Sequence, residues 1–426
     1  LPAEKRAAAT PLLDAGVVAL ATTPAASLPD GHGATPHEAR APKAAPTSRD
    51  ARAPVPGISS VPTCAFDSSG RLWAAWVDGG HVLVSSSPDT GSSWSRAVPV
   101  NPVPAAIDDN GEGRPKIALG EKGEVFVTYT EQLTAPHSGH VRFSRSVDGG
   151  RTFTPPRIVN DDRSVTGHRF DTLVAGPGSR VTIAWLDKSD RDRARAGGRP
   201  YAGAALRTAV SLDGGETFLP ERKVADNVCE CCRVGGTLDG EGRVLLFLRA
   251  IFGTRTRDHA LVSLDAAGVP GPVRRATFDG WQIDGCPHHG PSIAAAGDGT
   301  IHLAWYTGEG RDGRGLFYAR TWDGGATVEP PVRLAPAGER ASHPAVLAIG
   351  RLVYAAWAGP GDGVTRVLAR RSADGGETWS GARELGRTSE AADHPFLVRG
   401  PRGAVLTWFN DGSGLVVTPL EPWPGD

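Results

Sequence analysis

The sequence predicts an all-β chain folded as a β-propeller, seven blades being favoured and six the alternative. Two repeating features predict it. A polar turn motif recurs roughly every 50–60 residues, and a strongly apolar strand recurs between its copies. A content of 55 Gly and 35 Pro in 426 residues suits a chain of many turns and few helices.

The turn motif reads Ser-x-Asp-x-Gly-x-Thr-Trp/Phe. It appears at Ser87, Asp89, Gly91 and Trp94, at Ser146, Asp148, Gly150, Thr152 and Phe153, and at Ser211, Asp213, Gly215, Thr217 and Phe218. It returns at Ser372, Asp374, Gly376, Thr378 and Trp379. Thr321, Asp323, Gly325 and Thr327 form a weaker copy ending in Val328, and Ser263, Asp265 and Gly268 a decayed one. Asp and Gly tolerate left-handed turn conformations, the carboxylate accepts turn N–H groups, and the hydroxyls add local bonds. One match is weak evidence; a series in fixed phase is the signature of a repeat architecture.

The apolar strands are Arg71–Trp76, Glu124–Tyr129, Arg180–Trp185, Arg243–Leu248, Thr300–Trp305, Arg351–Trp357 and Ala404–Trp408. Runs of this kind read as strands buried on both faces. Each needs a neighbouring unit on either side to cover it, which the blades of a propeller provide. The seventh unit carries no turn motif and has room for about three strands. A strand from residues 10–60 is expected to complete it and so remove an open edge.

The chain divides into an Ala/Pro-rich arm over residues 1–56 and a propeller domain over 57–426. The arm holds no Trp, Phe or Tyr, and its one apolar run is 16–21 (GVVALA). The chain has no Met and begins at Leu1, so a removed leader and an extracytoplasmic location, periplasmic or secreted, are expected. Lys and Arg number 46 against 47 Asp and Glu, which gives no electrostatic reason for a nucleic-acid or anionic-membrane partner. No apolar run reaches the roughly 20 residues that span a bilayer.

The motif series resembles the sialidase-like, or BNR-repeat (Asp-box), superfamily, over about residues 58–420. The resemblance implies a propeller whose Asp boxes sit at the blade periphery and are structural. In true sialidases it also implies an Arg triad that clamps a carboxylate, a Tyr–Glu nucleophile pair and an Asp acid. Here the expected Arg-Ile-Pro element is missing, and only Arg114-Pro115-Lys116 stands at a comparable place, in a later unit. Arg249 and Arg320 are the candidates for the other two arginines, and Tyr306 or Tyr354 for the nucleophile. Without the clamp the chain is expected to be a non-sialidase member that does not turn over a sialoside.

A different constellation stands out. In a propeller the innermost strand of every blade starts beside the central channel, so equivalent positions converge on one mouth. Those positions hold Cys64, Arg114, His168-Arg169, Cys229-Glu230-Cys231-Cys232, Cys286-Pro287-His288-His289, His343-Pro344 and His394-Pro395. All 5 Cys and five of the 12 His fall there. Thiolate and imidazole are the ligands of soft and borderline metals. Cys229, Cys231, Cys232, Cys286, His168, His288, His289, His343 and His394 are therefore the candidate metal residues. Cys64 and Arg114 are outlying neighbours, and Trp281 and Asp284 candidates for an outer layer.

Copper suits such mixed ligands in an exported protein, with zinc as the alternative. Other readings stay open. A His-Pro pair can simply cap a strand. Cys231-Cys232 could form a vicinal disulfide and Cys229 could pair with Cys286. The expected function is metal handling or redox chemistry with a metal ion, and possibly another exported protein, as partner. A sialidase-type glycoside hydrolase and an interaction scaffold are the alternatives.

Overall fold

The computed structural model describes residues 57–423, and everything structural below concerns those residues. The expected arm over residues 1–56, and with it nearly all of the span 10–60 from which a closing strand is expected, lies outside them. Residues 57–62 hold no strand.

The described chain is a succession of antiparallel meanders. The first is β1 (Thr63–Phe66), β2 (Leu72–Asp78), β3 (His81–Ser87) and β4 (Val98–Pro99), and the second β5 (Lys116–Leu119), β6 (Val125–Gln132), β7 (Gly139–Ser146) and β8 (Arg157–Ile158). Next come β9 (His168–Gly176), β10 (Arg180–Asp187), β11 (Ala204–Ser211) and β12 (Arg222–Val228), with a helix α1 (Ser189–Ala196) between β10 and β11. They are followed by β13 (Gly235–Leu238), β14 (Val244–Phe252), β15 (Thr256–Leu264) and β16 (Arg274–Arg275). Then come β17 (Ser292–Ala295), β18 (Ile301–Thr307), β19 (Gly315–Thr321) and β20 (Val332–Arg333). After these stand β21 (Ser342–Ile349), β22 (Leu352–Gly361), β23 (Val364–Ser372) and β24 (Arg383–Thr388), and finally β25 (Phe396–Gly400), β26 (Gly403–Asn410) and β27 (Gly414–Pro419). A single pairing, Val228 with Ala250, joins the third and fourth meanders into one eight-stranded sheet, so six hydrogen-bonded sheets result.

The predicted apolar runs become β2, β6, β10, β14, β18, β22 and β26, the second strand of each meander. Their Trp76, Trp185, Trp305 and Trp357 are fully buried. The first strands touch one another in order, β1 to β5 to β9 to β13 to β17 to β21 to β25, and β25 touches β1. Apolar clusters fill the space between neighbouring meanders. Leu72 and Trp76 of the first pack with Phe409 of the last.

The four full Asp boxes and the weaker copy close as their chemistry predicts. The Ser or Thr hydroxyl donates to the Asp at 2.7–3.0 Å and accepts from the Gly N–H at 2.7–3.0 Å. The weaker copy at Thr321 makes these same bonds. In the decayed copy Asp265 instead accepts from Ala267 and Val269. The last Gly of each box rests on the preceding meander: Gly150 on Trp73, Gly215 on Phe143, Gly325 on Leu261 and Gly376 on Tyr318. Gly91 rests on Val417 of the last meander, which supplies no box itself.

The Thr152 hydroxyl, then the Thr152 N–H, holds the Asp148 carboxyl far below the ordinary carboxylate range, and the hydroxyls of Ser372 and Thr378 do the same for Asp374. A carboxyl depressed in the folded state contributes stability that is complete above its unfolded pKa of about 4 and is lost as pH falls through the lower folded value. Thermal melts between pH 7 and pH 2 should therefore show a midpoint that drops below about pH 4. Asp148→Asn should start lower and drop less steeply there; an acid limb identical to wild type would show that the box carboxylate does not set it.

Candidate metal centre

The segments leading into the first strands meet at one end of the ring. The turn Cys229–Cys232 follows β12 and precedes β13. Its N–H at Cys229 donates to the Arg249 carbonyl at 2.9 Å, which folds the turn back over β14. The Cys229 sulfur lies 3.8 Å from those of Cys231 and of Cys232. All five cysteines are free thiols, so neither of the alternative disulfides, Cys231–Cys232 or Cys229–Cys286, is formed. Cys229, Cys231 and Cys232 are buried, whereas Cys286 is exposed.

Two groups of ligand atoms lie within 4.8 Å of one another: Cys229, Cys231 and Cys232 as a buried set, and Cys231, Cys286 and His288 as a set open to solvent on its last two members. Cys231 belongs to both. The Cys232 thiol is held well below its ordinary value. Burial opposes this, but S–H donors from Cys229 and Cys231 and the Arg249 charge outweigh it. Cys229 and Cys231 are correspondingly pushed up. The turn thus gathers three sulfurs within bonding reach of one ion, with the Arg249 charge beside Cys232.

A stack of imidazoles adjoins it. The rings of His289 and His343 are 4.5 Å apart, and those of His343 and His394 also 4.5 Å. Burial pushes His289 down to about 4 and holds His343 well below the usual imidazole range. Burial also lowers His394, against the pull of the Asp393 carboxylate. Burial thus favours the uncharged imidazole in all three, the form that ligates a metal. His288 and His343 sit at φ of 52° and 51°, a left-handed conformation uncommon outside Gly and Asn. Such outliers concentrate at functional sites.

Buried charged residues tie this end together, and two of them, Glu112 and Arg233, belong to no motif of the sequence. Glu112 accepts from the Arg233 N–H at 2.7 Å and the Gly290 N–H at 3.1 Å, and pairs with the Arg233 guanidinium. Arg233 reaches His394 Nε2 at 3.1 Å and the Pro344 carbonyl at 3.3 Å. Arg114 pairs with Asp393 and donates to the Pro62 and Gly111 carbonyls at 3.0 Å.

Other expectations need correction. His168 does not join the cluster: it is buried in the third meander, with Nδ1 2.9 Å from the Gly139 carbonyl and Nε2 3.7 Å from Asp187. Its neighbour Arg169 points the other way, to Asp108 at 2.7 Å. Cys64 is buried between the first and last meanders, and burial pushes its thiol up to about 12. Arg249 donates to the His289 and Tyr306 carbonyls at 2.9 and 2.8 Å. Arg320 lies on the Asp-box side, chelating Glu329 at 2.6 and 2.8 Å and donating to the Gly375 carbonyl. The three candidate sialidase arginines thus form no common clamp. Tyr306 packs on His289 at 4.2 Å between rings, while Tyr354 is bonded to Glu421 between the last two meanders.

The class defined is an all-β propeller fold of repeated antiparallel meanders with a Cys/His cluster at one end. No protein-family model and no curated protein matches the sequence. Among solved structures the chain is similar to an ulvan lyase, a polysaccharide lyase, at a TM-score of 0.53 and 12% identity, over 85% of this chain and 91% of that one. It is also similar to a second polysaccharide lyase at 0.52 and 9%, over 87% and 92%. A leech intramolecular trans-sialidase overlaps more loosely, at 0.47 and 11%, over 82% and 83%. At these identities the likeness is one of fold. No helix among the described residues is long and apolar enough to cross a membrane.

Proposed function

We propose that the chain is an exported, seven-bladed metal-binding propeller whose Cys229, Cys231 and Cys232 hold a soft cation for metal handling or redox chemistry. Copper(I) is the first choice and zinc the second. The seven first strands in mutual contact support that blade count over six. The observation that carries the function is the buried trio of free thiols, two of its sulfur pairs 3.8 Å apart. Metal–sulfur bonds of about 2.3 Å in tetrahedral array put sulfurs roughly 3.8 Å apart, so little movement is needed to close on an ion. An all-sulfur set favours Cu(I), and zinc needs a fourth donor. The adjoining imidazoles and the Arg249 charge shape the surroundings of the bound ion. The sialidase-type alternative has only the fold in its favour, because Arg114 and Arg249 are already engaged and Arg320 lies elsewhere.

Elemental analysis after anaerobic loading with Cu(I) or Zn²⁺ tests this. Wild type should retain about one equivalent after desalting, and Cys229→Ala/Cys232→Ala should retain none. Equal metal in both proteins would remove these cysteines as ligands. Retention lost only in His288→Ala/His289→Ala would move the site to the imidazoles.

A further inference from the structure

Resting on the metal reading above, we infer that Cys231, Cys286 and His288 form an entry port that captures the incoming cation at the surface and passes it through Cys231 to the buried thiols. Cys229 and Cys232 are each only 2% exposed, so neither a hydrated ion nor a carrier complex can reach them directly. Cys286 and His288 are exposed, and their ligand atoms lie within 4.8 Å of each other and of the Cys231 sulfur. Cys231 is the one atom common to both sets, and its sulfur is 3.8 Å from that of Cys229.

The loop bearing the outer ligands is fixed at its base and open at its tip. His343 Nε2 lies 2.7 Å from the His288 carbonyl, and the Gly290 N–H donates to Glu112 at 3.1 Å. Both bonds use backbone groups, so the Cys286 thiol and the His288 ring stay available. The His288 backbone, at φ 52°, turns this residue away from a regular strand entry.

Transfer is a ligand exchange without oxidation or reduction. The cation arrives on a small-molecule carrier and binds Cys286, His288 and Cys231, displacing the carrier and the thiol protons to water. Bonds to Cys229 and Cys232 then form as those to Cys286 and His288 break. The Cys231 bond persists throughout. Cys229 and Cys232 release their thiol protons as they bind, one being regained by Cys286 and the other passing to water.

The test presents Cu(I) as its bicinchoninate complex to the full chain under anaerobic conditions and follows the loss of colour in a stopped-flow instrument. Cys286→Ala/His288→Ala should load more slowly, on the order of tenfold or more, because a pre-positioned first ligand is gone. Its final stoichiometry and its equilibrium competition curve should match wild type. Unchanged loading rates with full stoichiometry would overturn the port while leaving the buried site standing. A variant that loses its copper at equilibrium would also overturn it, by making Cys286 and His288 resident ligands. No uptake by wild type would remove both the port and the reading beneath it.

Discussion

Glu112→Ala is expected to destabilise the protein by about 3–5 kcal/mol, the cost of leaving a buried charge without its partner. Glu112 and Arg233 are 5% and 9% exposed at their side chains and lie 121 residues apart in sequence. Their contacts spread over five meanders. Glu112 precedes the second, Arg233 precedes the fourth, and the Gly290 N–H comes from the entry to the fifth. Arg233 continues to the Pro344 carbonyl in the sixth and to His394 at the entry to the seventh. Removing the carboxylate strands the guanidinium and frees two N–H groups at once. Urea denaturation of wild type, Glu112→Ala and Glu112→Ala/Arg233→Met checks this. The double variant should regain part of the loss, because Met places no charge in the gap. A single variant that loses less than about 1 kcal/mol would show that water replaces the carboxylate freely.

Much of this was legible in the sequence because the fold is periodic. Hydroxyl, Asp and Gly at fixed spacing determine a turn locally, so even the Thr321 copy folds as the better ones do. The apolar runs had to be covered on both faces, and they are the second strands of the meanders. Repeat phase also brought Cys231, Cys286, His288, His289, His343 and His394 to one end of the ring. Phase fixes where a residue stands around the axis, but not which way its side chain points. In a strand, successive side chains face opposite ways. At the start of β9 this sends Arg169 to Asp108 and His168 into the sheet beside Asp187. Glu112 and Arg233 were overlooked for a different reason. A charged residue in a glycine-rich loop reads as solvated unless its partner, more than a hundred residues away, is known. Their signal was positional: Glu112 stands two residues before Arg114, and Arg233 directly follows Cys232.

Gly150→Ala is expected to cost about 2–4 kcal/mol and Gly149→Ala only about 1–2 kcal/mol, although the two are adjacent in one Asp box. Their backbones are alike, at φ of 75° and 77°, so an alanine meets the same left-handed penalty at both. What differs is the space. A Cβ on Gly149 would meet nothing within 4 Å, whereas one on Gly150 would lie 2.5 Å and 2.8 Å from two carbons of the Trp73 ring in the preceding meander. Trp73 has little freedom to yield, because it is 6% exposed and its indole N–H donates to Asp67 at 2.8 Å. The difference between the two variants therefore isolates the contact between box and neighbouring meander from the turn itself. Differential scanning calorimetry of both against wild type measures it, with the Trp73 environment followed by fluorescence. Equal losses would mean that the boxes stabilise only their own hairpins. A larger loss at Gly150 makes each box a latch on the unit before it. Gly91 on Val417 is then the latch that fastens the first meander to the last.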